Sequence, residues 1–145
     1  MDIPARDLRV QHTDTGKPVI AGNCHFNVSH SGNLILLAVC ERRAIGVDVE
    51  RVRNVPRVEA LARRWLTVPE RAELQRQTQS GLSESDAFLR VWSLKEAHLK
   101  ALGVGISGAS DPLLQQTEVR SLDHLLGRLE RRAGERGYVG ALAFA

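Results

Sequence analysis

"GVDVERVR", Gly46–Arg53, places two carboxylates two positions apart in a valine-rich run and follows them with two arginines. Valine and isoleucine at that density belong to a strand, which the sequence predicts over Ala44–Glu50. Residues i and i+2 of a strand project to one face, so Asp48 and Glu50 point the same way. Like charges that close repel, and burying them is costly unless something neutralises them. A hard divalent cation such as Mg2+ does so, taking carboxylate oxygens and leaving its other positions to water and phosphate. The other reading is that one acid faces solvent and pairs with an arginine.

A second stretch bears on the same question. "WSLKEAHLKALG", Trp92–Gly103, carries Glu96 and Lys100 at i, i+4, on one face of a helix. Glu96 could bring a third carboxylate to a metal. Lys100, one turn on, could hold a phosphate as a compact point charge or take a proton. An exposed salt bridge is the alternative. Trp92, one turn before Glu96 on the same stripe, and the apolar Ala97 and Leu99 argue against an ordinary surface. A third stretch, "FNVSHSG" at Phe26–Gly32, reads as a short strand ending in a polar turn. Ser29 and His30 then sit at the strand end, with Ser31 and Gly32 opening the turn. Hydroxyl, imidazole and free turn amides together make a phosphate cradle; a structurally satisfied histidine is the alternative.

The chain of 145 residues suits one domain with a modest core. "DTGKP", Asp14–Pro18, reads as a turn. Leu34–Glu41, "LILLAVCE", is an apolar run of strand length, and Arg42–Arg43 is the predicted hairpin connection to Ala44–Glu50. Helical spacing follows at Val58–Trp65. "TVPE", Thr67–Glu70, matches a capping box with Pro69 in the first turn, leading a helix through Arg71–Gln77. Ser83 or Ser85 caps a longer helix over Glu84–Leu102, and Gly103 stops it. "GVGISGASDP" is a loop. Leu113–Arg132 is ambiguous, although "LDHLLGRLERR" looks helical, and "YVGALAFA" is a buried strand. Strands, then helices, then a strand give an α+β class, an antiparallel sheet packed against a long helix.

The formal net charge is +3 and the pI about 9.3. Arg51, Arg53, Arg57, Arg63, Arg64, Arg71 and Arg76 fall in one segment, which suits an anionic partner or a solvated basic surface. The six aromatics do not alternate with basic residues, so no nucleic-acid partner is expected. No stretch is apolar enough to span a bilayer, so no membrane partner is expected either. Met1–Val10 holds no signal-peptide core; the expected location is cytoplasmic. Cys24 and Cys40 lack CxxC spacing and read as reduced structural thiols.

Taken together and in this order, "FNVSHS", "GVDVE" and "WSLKEAHLK" resemble the 4′-phosphopantetheinyl transferase superfamily, specifically its surfactin-synthetase-activating (Sfp) type. The likeness runs from "GKP" at Gly16–Pro18 through Gly103, and the closing "GYVGALAF" looks like that family's last core strand. It implies transfer of 4′-phosphopantetheine from coenzyme A to a serine of an acyl or peptidyl carrier protein, releasing adenosine 3′,5′-bisphosphate. It implies Mg2+ held by Asp48, Glu50 and Glu96, with Glu96 as ligand or base and Lys100 against the pyrophosphate. It assigns Lys17, Ser29 and His30 to coenzyme A phosphates, and Arg53 stands where the family often has a basic residue beside the site. The arginine-rich segment would steer an acidic carrier serving fatty-acid, polyketide or nonribosomal peptide synthesis. Members of this type consist of two similar halves. Residues 1–145 read as a single domain in which most of the first half, with its adenine-gripping basic residues, is missing. Three expectations follow: the gene start is mis-called or the chain truncated, a homo-oligomer covers the missing half, or the chain is a non-catalytic relative that binds coenzyme A or the carrier.

Overall fold

The computed structural model describes residues 4–22, 24–105, 118–127 and 137–145. Two short strands, β1 (Val10–His12) and β2 (Pro18–Ile20), pair antiparallel around the predicted turn. β3 (His25–Ser31) and β4 (Leu34–Cys40) form an antiparallel hairpin. Its two-residue loop is Gly32–Asn33, and Gly32 takes the positive φ of 57° that such a loop requires. β5 (Ile45–Arg51) follows, then helices α1 (Val58–Trp65), α2 (Val68–Gln79) and α3 (Glu84–Leu102). β6 (Glu118–Ser121) and β7 (Tyr138–Phe144) close the chain. The class is α+β as expected, with β5, β7 and β6 forming an antiparallel sheet in the order β5-β7-β6.

That order corrects one expectation. Arg42–Arg43 does not connect a hairpin: β4 pairs with β3, and the ladder partner of β5 is the distant β7, from Ile45↔Phe144 to Arg51↔Tyr138. A short connection favours pairing of neighbours, but β7 offers β5 an alternating row of small residues that a helix can approach. Ala141 and Ala143 on β7 pack with Ala97 and Ala101 of α3, all four buried. Gly46 on β5 extends this surface; a Cβ there would collide with the Ala97 carbonyl oxygen and the Ala101 nitrogen. Small residues on both sides therefore bring α3 onto the sheet at backbone distance.

The other face of β5 packs elsewhere. Val49 joins Leu126 and Tyr138 in a cluster that Leu34, Leu36 and Leu122 cover. A third cluster, Val58, Ala62, Leu66, Phe88 and Val91, fastens α1 to the first half of α3.

The helix ends match their sequence signals. The Thr67 hydroxyl accepts from Glu70 N while the Glu70 carboxylate accepts from Thr67 N at 2.6 Å, completing the capping box. Ser83, rather than Ser85, caps α3 by accepting from Asp86 N. The Ser85 hydroxyl instead accepts from Val55 N. Gly103 ends α3 in the left-handed region at φ 71°. Glu70 has a second duty: both its oxygens accept from Lys95 Nζ, at 3.1 and 2.9 Å, and the Lys95 side chain is only 2% exposed. This ion pair ties the start of α2 to the middle of α3. Residues 113–117 and 128–132, half of the ambiguous Leu113–Arg132 stretch, and 106–112 of the 103–112 loop lie outside the described residues; 118–121 form β6 and 123–127 are helical.

Gly46→Ala tests the close approach. It should destabilise the protein by about 3 kcal/mol or more, the upper end of overpacking costs, because the obstructing atoms are backbone. Urea denaturation measures this; a cost under about 1 kcal/mol would mean that α3 does not sit where described.

Candidate active site

The even-numbered residues of β5 face α3. Behind Gly46, where the backbones touch, come Asp48 and Glu50, and the helix presents Trp92, Glu96 and Lys100 toward them. These five side chains, with Val28, Ser29 and His30 of β3, line a cleft of about 370 Å³. A second groove of about 340 Å³ lies between α1 and α2, with an apolar floor of Val58, Ala62 and Leu74. Only the first gathers Asp48, Glu50 and Glu96 with His30 and Lys100.

Asp48 is 4% exposed. Its Oδ1 accepts from Lys100 Nζ at 2.6 Å and from the Ser29 hydroxyl at 3.0 Å. Its Oδ2 is buried and has no hydrogen-bond partner. Glu50 Oε2 accepts from Arg53 at 2.8 Å and, more weakly, from the Ser31 hydroxyl at 3.5 Å. Burial pushes the Glu96 carboxyl above its ordinary range; the charges of Asp48 and Glu50 add to that push, while Lys100 and Lys95 oppose it. A carboxylate so raised is a better proton acceptor near neutrality.

β3 stands beside β5 in a way the sequence reading did not foresee. Asn27 Oδ1, Ser29 Oγ and Ser31 Oγ accept from the backbone N–H groups of Val47, Val49 and Arg51, at 2.9, 3.2 and 2.9 Å. Every second side chain of β3 thus takes the place of a carbonyl along the free edge of β5. β3 is regular through Ser31, so Ser29, 6% exposed, lies within the strand rather than at its end, and Ser31 belongs to the strand rather than to the turn. The strict alternation Asn-x-Ser-x-Ser was the available signal. His30 is exposed and lines the cleft.

Lys17 is not among the residues that line the cleft. Its Nζ donates to the Ala101 carbonyl at 2.6 Å, at the end of α3, and burial lowers its pKa. Thr15 donates to the Gly103 carbonyl at 2.5 Å beside it. The β1–β2 hairpin thereby caps the helix that carries Lys100, a favourable place for a cation.

The donors suit a hard divalent cation in kind: three carboxylates on one cleft, one with an orphaned buried oxygen. Among the described residues, however, no three His, Cys, Asp or Glu side chains stand as a ready coordinating group. The ammonium of Lys100 and the guanidinium of Arg53 neutralise Asp48 and Glu50 in this arrangement.

Comparison with known proteins decides the family. A family model described as the 4′-phosphopantetheinyl transferase superfamily matches residues 44–138. The chain belongs to that superfamily. It is 37% identical over 105 residues to the 4′-phosphopantetheinyl transferase HetI of Nostoc, covering 69% of this chain and 44% of HetI. It is 36% identical over 94 residues to the 4′-phosphopantetheinyl transferase of Bacillus subtilis, covering 63% of this chain and 40% of that protein. A third relative is the L-aminoadipate-semialdehyde dehydrogenase-phosphopantetheinyl transferase of Homo sapiens, 32% identical over 118 residues, with 73% of this chain and 38% of that one covered. The chain spans about half or less of the length of these curated relatives. The match to the family model includes β5, α1, α2, α3 and the start of β7, and so takes in Asp48, Glu50, Trp92, Glu96 and Lys100 of the cleft but not its β3 wall.

The raised pKa of Glu96 has a consequence for stability. Folding favours its neutral form, so ionised Glu96 costs stability at neutral pH, and the penalty vanishes below the carboxyl's unfolded pKa. Glu96→Gln, measured without added metal, should therefore raise the thermal midpoint at pH 7, and the gain should shrink as the pH falls toward 4. A midpoint lowered at pH 7 would contradict this description of the site.

Proposed function

We propose that the chain transfers the 4′-phosphopantetheine arm of coenzyme A to a serine of an acyl or peptidyl carrier protein. The observation that carries this reading is the shared cleft: two acids of β5 facing Glu96 and Lys100 of α3. Relatives carrying the transferase name support it.

In this reading Asp48, Glu50 and Glu96 would hold Mg2+, with the unpartnered Oδ2 of Asp48 as one donor. When bound, the ion supplies charge neutralisation on the pyrophosphate oxygens. The protein's own groups do the rest. Glu96 accepts the proton of the attacking serine, either itself or through a water. The serine oxygen bonds to the pantetheine-side phosphorus as the bond from that phosphorus to the bridging oxygen breaks. Adenosine 3′,5′-bisphosphate departs, and Lys100 offsets the charge that grows on it. His30, exposed at the cleft rim, and Arg53 are placed to meet phosphate; for Lys17 that role requires release from the end of α3. Trp92 walls the cleft and stacks on Phe88 at 5.9 Å between ring centroids.

Between residues 51 and 76 seven arginines face three glutamates, so this segment holds more than the whole excess of positive charge. It leads from Arg53 at the cleft onto α1 and α2, which suits steering of an acidic carrier protein. No helix among the described residues is long and apolar enough to cross a membrane, and both cysteines are free, which supports a cytoplasmic setting.

Incubation with coenzyme A, Mg2+ and an apo carrier protein should add the phosphopantetheine mass to the carrier. Glu96→Gln and Asp48→Asn should each lower the rate by about 100-fold or more. Tight coenzyme A binding with no mass gain, beside a working control transferase, would favour a non-catalytic binding relative.

The outward face of the β3–β4 hairpin bears on assembly. Val28, Ile35, Leu37 and Val39 are 42%, 71%, 65% and 55% exposed on one apolar surface, and Val28 belongs also to the cleft wall. A surface of this kind marks an interface. We assign it to a second copy of this chain, because the surface is continuous with the cleft wall through Val28. The protein should elute as a dimer or higher oligomer in light scattering, and Leu37→Glu should dissociate it with the fold intact. A wild-type monomer at high micromolar concentration would contradict this assignment.

A further inference from the structure

We infer that Ser29 is a positioning residue that sets which oxygen of Asp48 faces the cleft, and that its hydroxyl is not a coenzyme phosphate contact. The inference rests on the transferase reading above and assigns a different job to one residue of the same site.

A serine hydroxyl offers one donor and two acceptor positions. Ser29 uses all three inside the protein. It donates to Asp48 Oδ1 at 3.0 Å, accepts from Val49 N at 3.2 Å and accepts from Lys100 Nζ at 3.3 Å. At 6% exposure it has no spare capacity to offer a ligand. The three partners are themselves informative. Val49 N belongs to the residue between Asp48 and Glu50, so holding it fixes the backbone between the two acids. Lys100 reaches the same Oδ1 at 2.6 Å. With Oδ1 held by two donors, the carboxylate cannot rotate, and Oδ2, buried and without a partner, is the atom left for a cation. Asn27 and Ser31 hold the neighbouring peptide groups of β5 in the same way, and Ser31 also reaches Glu50. Groups that orient a ligand from behind typically change metal affinity or activity by about 10- to 100-fold when removed.

The test uses Mn2+ as an oxygen-seeking probe, followed by the electron paramagnetic resonance of free Mn2+, together with calorimetric binding of coenzyme A in the absence of metal. Ser29→Ala should weaken Mn2+ binding by about tenfold while coenzyme A affinity changes less than about threefold. Should Ser29→Ala fold poorly by circular dichroism, Ser29→Cys keeps the volume with a much weaker donor and carries the same expectation. Loss of coenzyme A affinity with unchanged Mn2+ binding would make Ser29 a phosphate contact and overturn the inference. Equal losses of both, or no change in either, would overturn it as well. A wild-type protein that takes up no Mn2+ would overturn it together with the transferase reading, whereas normal wild-type uptake and transfer with an indifferent Ser29→Ala would overturn the inference alone.

Discussion

A carboxylate that is 4% exposed must be neutralised where it sits, and Asp48 is neutralised from across the structure. Its partner, Lys100, lies 52 residues away on α3, and the contact is 2.6 Å. The desolvation cost of such a pair is recovered only with short geometry and further hydrogen bonds. Ser29 supplies one of those bonds, and the Ser93 hydroxyl reaches the Asp48 carbonyl at 3.4 Å. Much of the remaining fold serves to make that geometry reachable. Gly46 removes the side chain that would hold α3 off the sheet. Ala97, Ala101, Ala141 and Ala143 keep the contact thin. The β1–β2 hairpin fastens the end of α3 through Lys17 and Thr15.

The same helix divides its duties by face. Lys95 turns away from the cleft and is buried against Glu70, whose carboxylate also closes the capping box of α2. Glu96, the next residue, turns toward the cleft. One residue's step around the helix thus separates a charge used for cohesion from a charge held in an unfavourable, partly buried place. Removing one partner of a buried pair typically costs about 3–5 kcal/mol, so the Lys95–Glu70 pair is a strong anchor for α2 on α3. The site residue is the reverse case, because burial and the neighbouring acids work against the ionised form of Glu96.

What the sequence disclosed follows from the range over which each signal acts. The helices, their caps and the shared face of Asp48 and Glu50 are local periodicities, and they are where the spacing put them. The pairing of β5 was not legible, because the short connection at residues 41–44 pointed to β4 and nothing local marked β7 as the better partner. The polar residues of β3 misled for a related reason. Asn27, Ser29 and Ser31 face inward where a strand usually buries apolar groups, so Ser29 read as a strand end and Ser31 as the opening of a turn when all three are satisfying the edge of β5. Lys17 was placed by likeness alone, and its contact with Ala101 depends on a tertiary arrangement no spacing encodes. The apolar run Leu34–Glu41 shows strand length but not which face is covered: Ile35, Leu37 and Val39 face outward, whereas Leu34 and Leu36 pack inward.

The central claim is that Asp48 of β5 and Lys100 of α3 meet and hold strand and helix in register around one cleft. A double-mutant cycle with Asp48→Asn and Lys100→Met, read by urea denaturation in metal-free buffer, isolates that contact from the effects of each change alone. The geometry predicts a coupling free energy of about 1–3 kcal/mol, the range for directly contacting groups. Strictly additive costs, with a coupling under about 0.3 kcal/mol, would show that the two side chains do not meet and would remove the basis for the site.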